Sequence, residues 1–77
     1  MNENFRRLSK ILERWSKVAG EDITPQSEID DGLDIDSITR LELVLAMNKE
    51  FGHDFDDVDV FAARTVHDLV KLVPESD

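Results

Sequence analysis

Seventy-seven residues without a single cysteine offer few groups able to do covalent chemistry. With no thiol there is no cysteine nucleophile, no thiolate metal site and no disulfide. The two histidines, His53 and His67, are too few for a histidine zinc site. Neither has a serine, threonine or acid spaced to complete a nucleophile–base arrangement. The three glycines lie far apart, so no Gly-rich phosphate loop exists. Acids are abundant, but the runs DDGLDID and DFDDVD lack the glycine-six, glutamate-twelve order of a calcium loop. Neither a catalytic centre nor a metal site is expected. What remains is one hydroxyl in a distinctive setting. Ser37 follows Asp36 at the end of the acidic segment Gly32-Leu33-Asp34-Ile35-Asp36 and opens an apolar-rich stretch. By itself, a serine after an Asp cap needs no explanation beyond starting a helix.

The elements that must position Ser37 follow from periodicity. Residues 37–51 read as a helix, capped by Asp36 and ended by Gly52. At about 100° per residue, Leu43, Val44, Met47 and Phe51 share one side, the core stripe. Ile38, Leu41 and Leu45 form a second stripe on another face, next to Ser37 and edged by Glu42. A helix in so short a chain is hard to bury all round, so the second stripe is expected to be partly exposed and to serve as a docking surface.

Around this helix the pattern predicts three more. Phe5, Leu8, Leu12 and Trp15 line one face of a helix over residues 4–18, with Trp15 in the core and Gly20 as the stop. Residues 21–36 form a long connection with Pro25, Gly32 and seven acids, pinned by Ile23, Ile29 and Leu33. Phe55, Val58, Val60 and Phe61 suggest a short, irregular third helix. Thr65 and Asp68 form an acidic near-version of a capping box, opening a last helix that runs to about Val73. Val66, Leu69, Val70 and Val73 face inward there, Pro74 ends the helix, and residues 75–77 are a frayed tail. No alternating strand pattern and no repeat is found. The expected fold is all-α: one domain over residues 1–77, a small four-helix bundle with a long first loop and a short third helix.

Charge narrows the partners. The formal net charge is −9 and the sequence pI about 4.5, so phosphate backbones and anionic lipid surfaces repel the chain. No run approaches the roughly 18 apolar residues of a membrane span, and the N-terminal sequence lacks the basic-then-apolar block of an export signal. A cytoplasmic monomer without nucleic-acid or membrane partners is expected. The charge is also uneven. Residues 1–20 carry five bases and two acids, whereas the rest carries four bases and sixteen acids. Whatever docks on that larger part should be basic.

The stretch DSITRLELVLAMNKEFG resembles the acyl carrier proteins, in which an Asp-Ser-hydrophobic triplet opens the second of four helices. Asp36, Ser37 and Ile38 match that triplet. Glu42, Leu43 and Val44 match the family's Glu-Leu-Val run, Glu50 and Phe51 its closing Glu-Phe, and Thr65 and Val66 the Thr-Val that opens the last helix. The likeness covers essentially the whole chain. It implies that Ser37 receives 4′-phosphopantetheine from coenzyme A through a phosphodiester, by the action of a magnesium-dependent phosphopantetheinyl transferase. The terminal thiol of that arm, absent from the chain itself, then bears acyl groups as thioesters. The resemblance further implies that Asp36, Ile38, Leu41, Glu42 and Leu45 meet partner enzymes with basic docking surfaces, with Asp57 and the short third helix at the rim, and that the chain is not itself an enzyme.

Four departures stand out. Asp34 replaces the usual glycine three residues before the serine, and Asp56 replaces a proline before the third helix. Arg40, and Asn48 with Lys49, make the second helix less uniformly negative than in a general fatty-acid carrier. They suggest a dedicated carrier, for which Arg40→Glu and Lys49→Glu should alter loading by its own partner. The cargo is expected to be acyl (fatty-acid, polyketide or specialised-lipid), with Leu43 and Met47 parting to shelter the chain. An aminoacyl or peptidyl carrier is one alternative. An unmodified acidic helical interaction module, binding a basic protein through Ile38, Leu41 and Leu45, is another.

Overall fold

The computed structural model describes residues 3–74. Among these, four helices account for the regular structure: α1 Glu3–Leu12, α2 Ser37–Phe51, α3 Asp57–Ala62 and α4 Val66–Leu72. A single 3₁₀ turn, Gly20–Asp22, interrupts the long α1–α2 connection, and the only β-type pairing among the described residues is an isolated bridge between Glu28 and Thr65. The all-α four-helix expectation holds. The frayed tail predicted for residues 75–77 lies outside the described residues.

One buried cluster unites the elements. Leu8, Ile11 and Leu12 from α1 meet Leu43, Val44 and Met47 from α2, and Val60, Val66, Leu69 and Val70 from α3 and α4. Each large apolar side chain taken fully from water stabilises the fold by about 1.5–3 kcal/mol. The long connection enters the same cluster through Ile23, Ile29 and Leu33, as expected, and also through Ile35, which alternation with the flanking acids had hidden. Its backbone is tied down as well. Ile29 N–H donates to Arg64 O (2.9 Å), Val66 N–H to Ser27 O (3.0 Å) and His67 N–H to Pro25 O (2.9 Å). The segment leading into Ser37 is therefore anchored on the start of α4.

The first helix is shorter than its apolar spacing predicts. After Leu12 the bonds tighten, with Arg14 N–H donating to Ile11 O and Trp15 N–H to Leu12 O, each at 3.1 Å. Ser16 then accepts from Val18 N–H at 2.9 Å, a local bond that competes with further helix. Trp15 is half-buried against the core rather than within it.

Candidate functional site

Asp36 fixes where α2 begins. Its side chain accepts from Thr39 N–H at 2.8 Å, and its carbonyl accepts from Arg40 N–H at 3.0 Å. The bond from Thr39 N–H is the largest cause that holds the Asp36 carboxyl below its ordinary pKa, so it stays a charged cap at neutral pH. Gly52 closes the helix in the left-handed region (φ 59°), donating to Asn48 O. Such a φ suits a residue without Cβ. Ser37 is thus the first residue of a helix defined at both ends. It is exposed, and among the described residues its hydroxyl has no hydrogen-bond partner.

The two stripes of α2 separate as predicted. Leu43, Val44 and Met47 are buried and Phe51 is half-buried, whereas Ile38 is 76% exposed, Leu41 50% and Leu45 70%. Asp36, Glu42 and Asp57 are exposed too. The structure therefore leaves Ser37, three unpartnered apolar side chains and these acids open to solvent on or beside α2. Val58 and Phe61 of α3, which the sequence grouped with Phe55 and Val60 without separating them, are exposed apolar residues that lengthen the apolar surface. Their order in the chain matches that of buried Phe55 and Val60, so only the short helix's rotation could have separated them.

The departures from the family pattern prove to have structural work. Arg40, expected as a surface charge, is only 4% exposed. Its Nη1 donates to Val60 O (3.0 Å), Phe61 O (3.0 Å) and Ala63 O (2.9 Å), and its Nη2 to Asp30 Oδ1 (3.1 Å). Nη1 has two hydrogens for three carbonyls, so at least one is shared, and a cation at the C-terminal end of α3 also suits the helix dipole. Arg40→Glu would therefore disrupt the α2–α3 seam, and it cannot serve as a probe of partner choice. Asn48 Oδ1 accepts from Phe55 N–H at 2.8 Å, setting the turn into α3, and Asp56 caps α3 through Val58 N–H at 2.9 Å. Asp34 adopts φ 57°, a backbone region disfavoured for most side chains but tolerated by Asp. Its carboxylate pairs with Lys17 at 2.9 Å, a hydrogen bond that raises the Lys17 pKa. Lys49 is exposed and, among the described residues, its side chain has neither a hydrogen bond nor an ion pair to account for it.

An anion linked to Ser37 Oγ fits this setting. The leading N–H groups of α2 and its dipole favour negative charge at that end. Asp30, Asp34 and Asp36 line the shallow depression beside Ser37 and would turn a phosphate outward into solvent. Among the described residues, no group of three His, Asp or Glu side chains is placed to hold a metal ion, and no helix is long and apolar enough to cross a membrane.

Comparison with known proteins agrees with this geometry. Residues 6–73 match the family model described as "Phosphopantetheine attachment site". The chain is 32% identical to the acyl carrier protein of Coprothermobacter proteolyticus over 69 residues, 90% of this chain and 84% of that one. It is 30% identical to the meromycolate extension acyl carrier protein of Mycolicibacterium aurum, over 86% of this chain and 68% of that one. To the acyl carrier protein of Thermobifida fusca it is 29% identical, over 86% and 84%. A helical domain that presents one free serine at a helix start is the architecture of a prosthetic-group carrier, and the chain belongs to the phosphopantetheine-bearing acyl carrier protein family. It carries acyl groups in fatty-acid or specialised-lipid biosynthesis, and its family consists of non-catalytic carriers that meet a phosphopantetheinyl transferase and acyl-processing enzymes. The covalently attached 4′-phosphopantetheine supplies the thiol on which the acyl group travels as a thioester.

Proposed function

We propose that Ser37 is the attachment residue and that Asp36, Ile38, Leu41, Glu42, Leu45 and Asp57 form the surface read by partner enzymes. The observation that carries this reading is the exposed Ser37 at the start of α2, its hydroxyl without a hydrogen-bond partner among the described residues, with three exposed apolar side chains on the same helix. Among the described residues no side-chain base is hydrogen-bonded to Ser37, and deprotonation falls to the transferase. Residues 1–77 act as one domain and as a monomer in the cytoplasm, modified by one enzyme and delivering cargo to others. The acids around the apolar stripe attract basic docking surfaces, which speeds association and selects partners more than it adds affinity.

Initial rates with coenzyme A, magnesium and a phosphopantetheinyl transferase test the reading. Ser37→Ala should take up no phosphopantetheine. Leu41→Ala combined with Leu45→Ala should load about tenfold more slowly, the effect of losing roughly 1.4 kcal/mol of docking, with an unchanged melting temperature. Unaltered rates in the double variant would refute the docking surface while leaving Ser37 untouched. Acyl rather than aminoacyl cargo is favoured by the apolar cluster around Leu43 and Met47, where a sheltered chain would stabilise the fold by linkage. Melting temperatures of holo-protein loaded with two, eight and sixteen carbons should then rise with length. A flat series would favour the aminoacyl alternative.

A further inference from the structure

The chain is strongly acidic, yet one groove in it is basic. Arg7, Lys10 and Arg14 from the first segment and Lys49 from α2 line a depression of about 580 Å³ between α1 and α2, floored by buried Ile11 and half-buried Ala46. Arg7 is committed internally. Its Nε meets Glu50 Oε2 at 2.8 Å and its guanidinium lies 4.6 Å from the centre of the Phe51 ring, so it fastens α1 to α2. The other three are exposed, and among the described residues none has an ion-pair partner, although acids outnumber bases two to one in the chain. Unpaired cations gathered on one groove of such a molecule call for an anion from outside.

The setting decides which anion. An extended polyanion, whether membrane or nucleic acid, would also face the rest of a molecule measuring only 31 × 28 × 18 Å. Running on past the groove, it would come within one Debye length, about 8 Å at physiological salt, of the neighbouring acids and be repelled. A small inorganic anion gains little, because the cations are dispersed over two segments above an apolar floor. A second copy of this chain would bring its own charge of −9 against −9. A short acidic stretch with apolar side chains matches both the cations and the floor formed by Ile11 and Ala46. We propose that this groove docks an acidic, amphipathic segment of a protein partner, at a surface separate from Ser37 and independent of whether Ser37 is loaded.

The test is a titration of the full-length, isotope-labelled chain with an acetylated twelve-residue peptide of Glu and Asp bearing a Leu every third or fourth position, followed by amide shifts. Saturable shifts should appear at Lys10, Ile11, Arg14, Ala46 and Lys49, with Ser37 to Leu41 unmoved, and binding should weaken as salt rises. Lys10→Gln combined with Arg14→Gln should weaken it by about fivefold, the scale of losing two exposed ion pairs. Lys10→Gln alone should give a smaller loss of the same sign, which keeps the result readable if the double variant melts early. No saturable shift, or one centred elsewhere or indifferent to these variants, overturns the proposal. So does displacement of the peptide by vesicles of three parts phosphatidylcholine to one part phosphatidylglycerol, or by inorganic phosphate at equal charge. A concentration-dependent dimer that the double variant abolishes would assign the groove to a second copy and overturn it equally.

Discussion

The two apolar faces of α2 are built from the same kinds of residue and do opposite things. Leu43 and Met47 are lost from solvent inside the four-helix cluster, while Ile38, five residues before Leu43, and Leu45, midway between the two, stand open on the same helix as Ser37. The buried face holds the fold; the open face, which no described element covers, is the one proposed for partners. The difference teaches that composition alone cannot assign a role to leucine in this helix. Its angle around the axis does.

Substitutions can break or sharpen that contrast. Leu43→Ala should have the largest effect on stability, costing about 2–5 kcal/mol in denaturant unfolding, whereas Leu45→Ala should stay within about 0.5 kcal/mol of the parent. Equal losses at the two positions would dissolve the distinction. Next comes Arg40→Ala, which removes the donor to Phe61 O and Ala63 O at the end of α3, while Val60 O keeps Ala63 N–H (3.3 Å), and should cost roughly 2 kcal/mol, because acceptors left unpaired away from water are expensive. Hydrogen exchange should then quicken first in α3. A still smaller effect is expected from the capping box of α4, where Asp68 accepts from Arg64 N–H (3.1 Å) and Thr65 N–H (3.3 Å). These backbone bonds, that from Arg64 foremost, keep the Asp68 carboxyl below its ordinary pKa. Its contribution is therefore present above the unfolded value near 3.9 and lost as pH falls through the lower folded value. Asp68→Ala should lower the melting temperature at pH 7, and the gap should close in strong acid. Asp34→Gly should matter least, moving the melting temperature by no more than about 3 °C, since relief of the φ 57° backbone offsets the lost pair with Lys17.

Much of this was legible in the residues. The bounds of α2 followed from Asp36 and Gly52, the start of α4 from Thr65 and Asp68, and both stripes from helical geometry, because each signal is local or strictly periodic. What escaped was long-range. Nothing near Arg40 in sequence says that its guanidinium reaches carbonyls twenty or more residues away, so a buried clamp looked like a surface charge. The end of α1 was lost for a different reason. The apolar spacing continues past Leu12 to Trp15, but a serine side chain diverts the backbone. Asn48 and Asp56, noted in the sequence only as departures from the family pattern, each bond a backbone N–H.

The most direct measurement is to load the purified chain with phosphopantetheine enzymatically, digest it, and map the modified peptide by tandem mass spectrometry. The account predicts one phosphopantetheine per chain, on Ser37 alone, and none on Ser37→Ala. Modification at Ser9, Ser16 or Ser27, or an unmodified chain beside an active control carrier with the chain's own transferase, would contradict it.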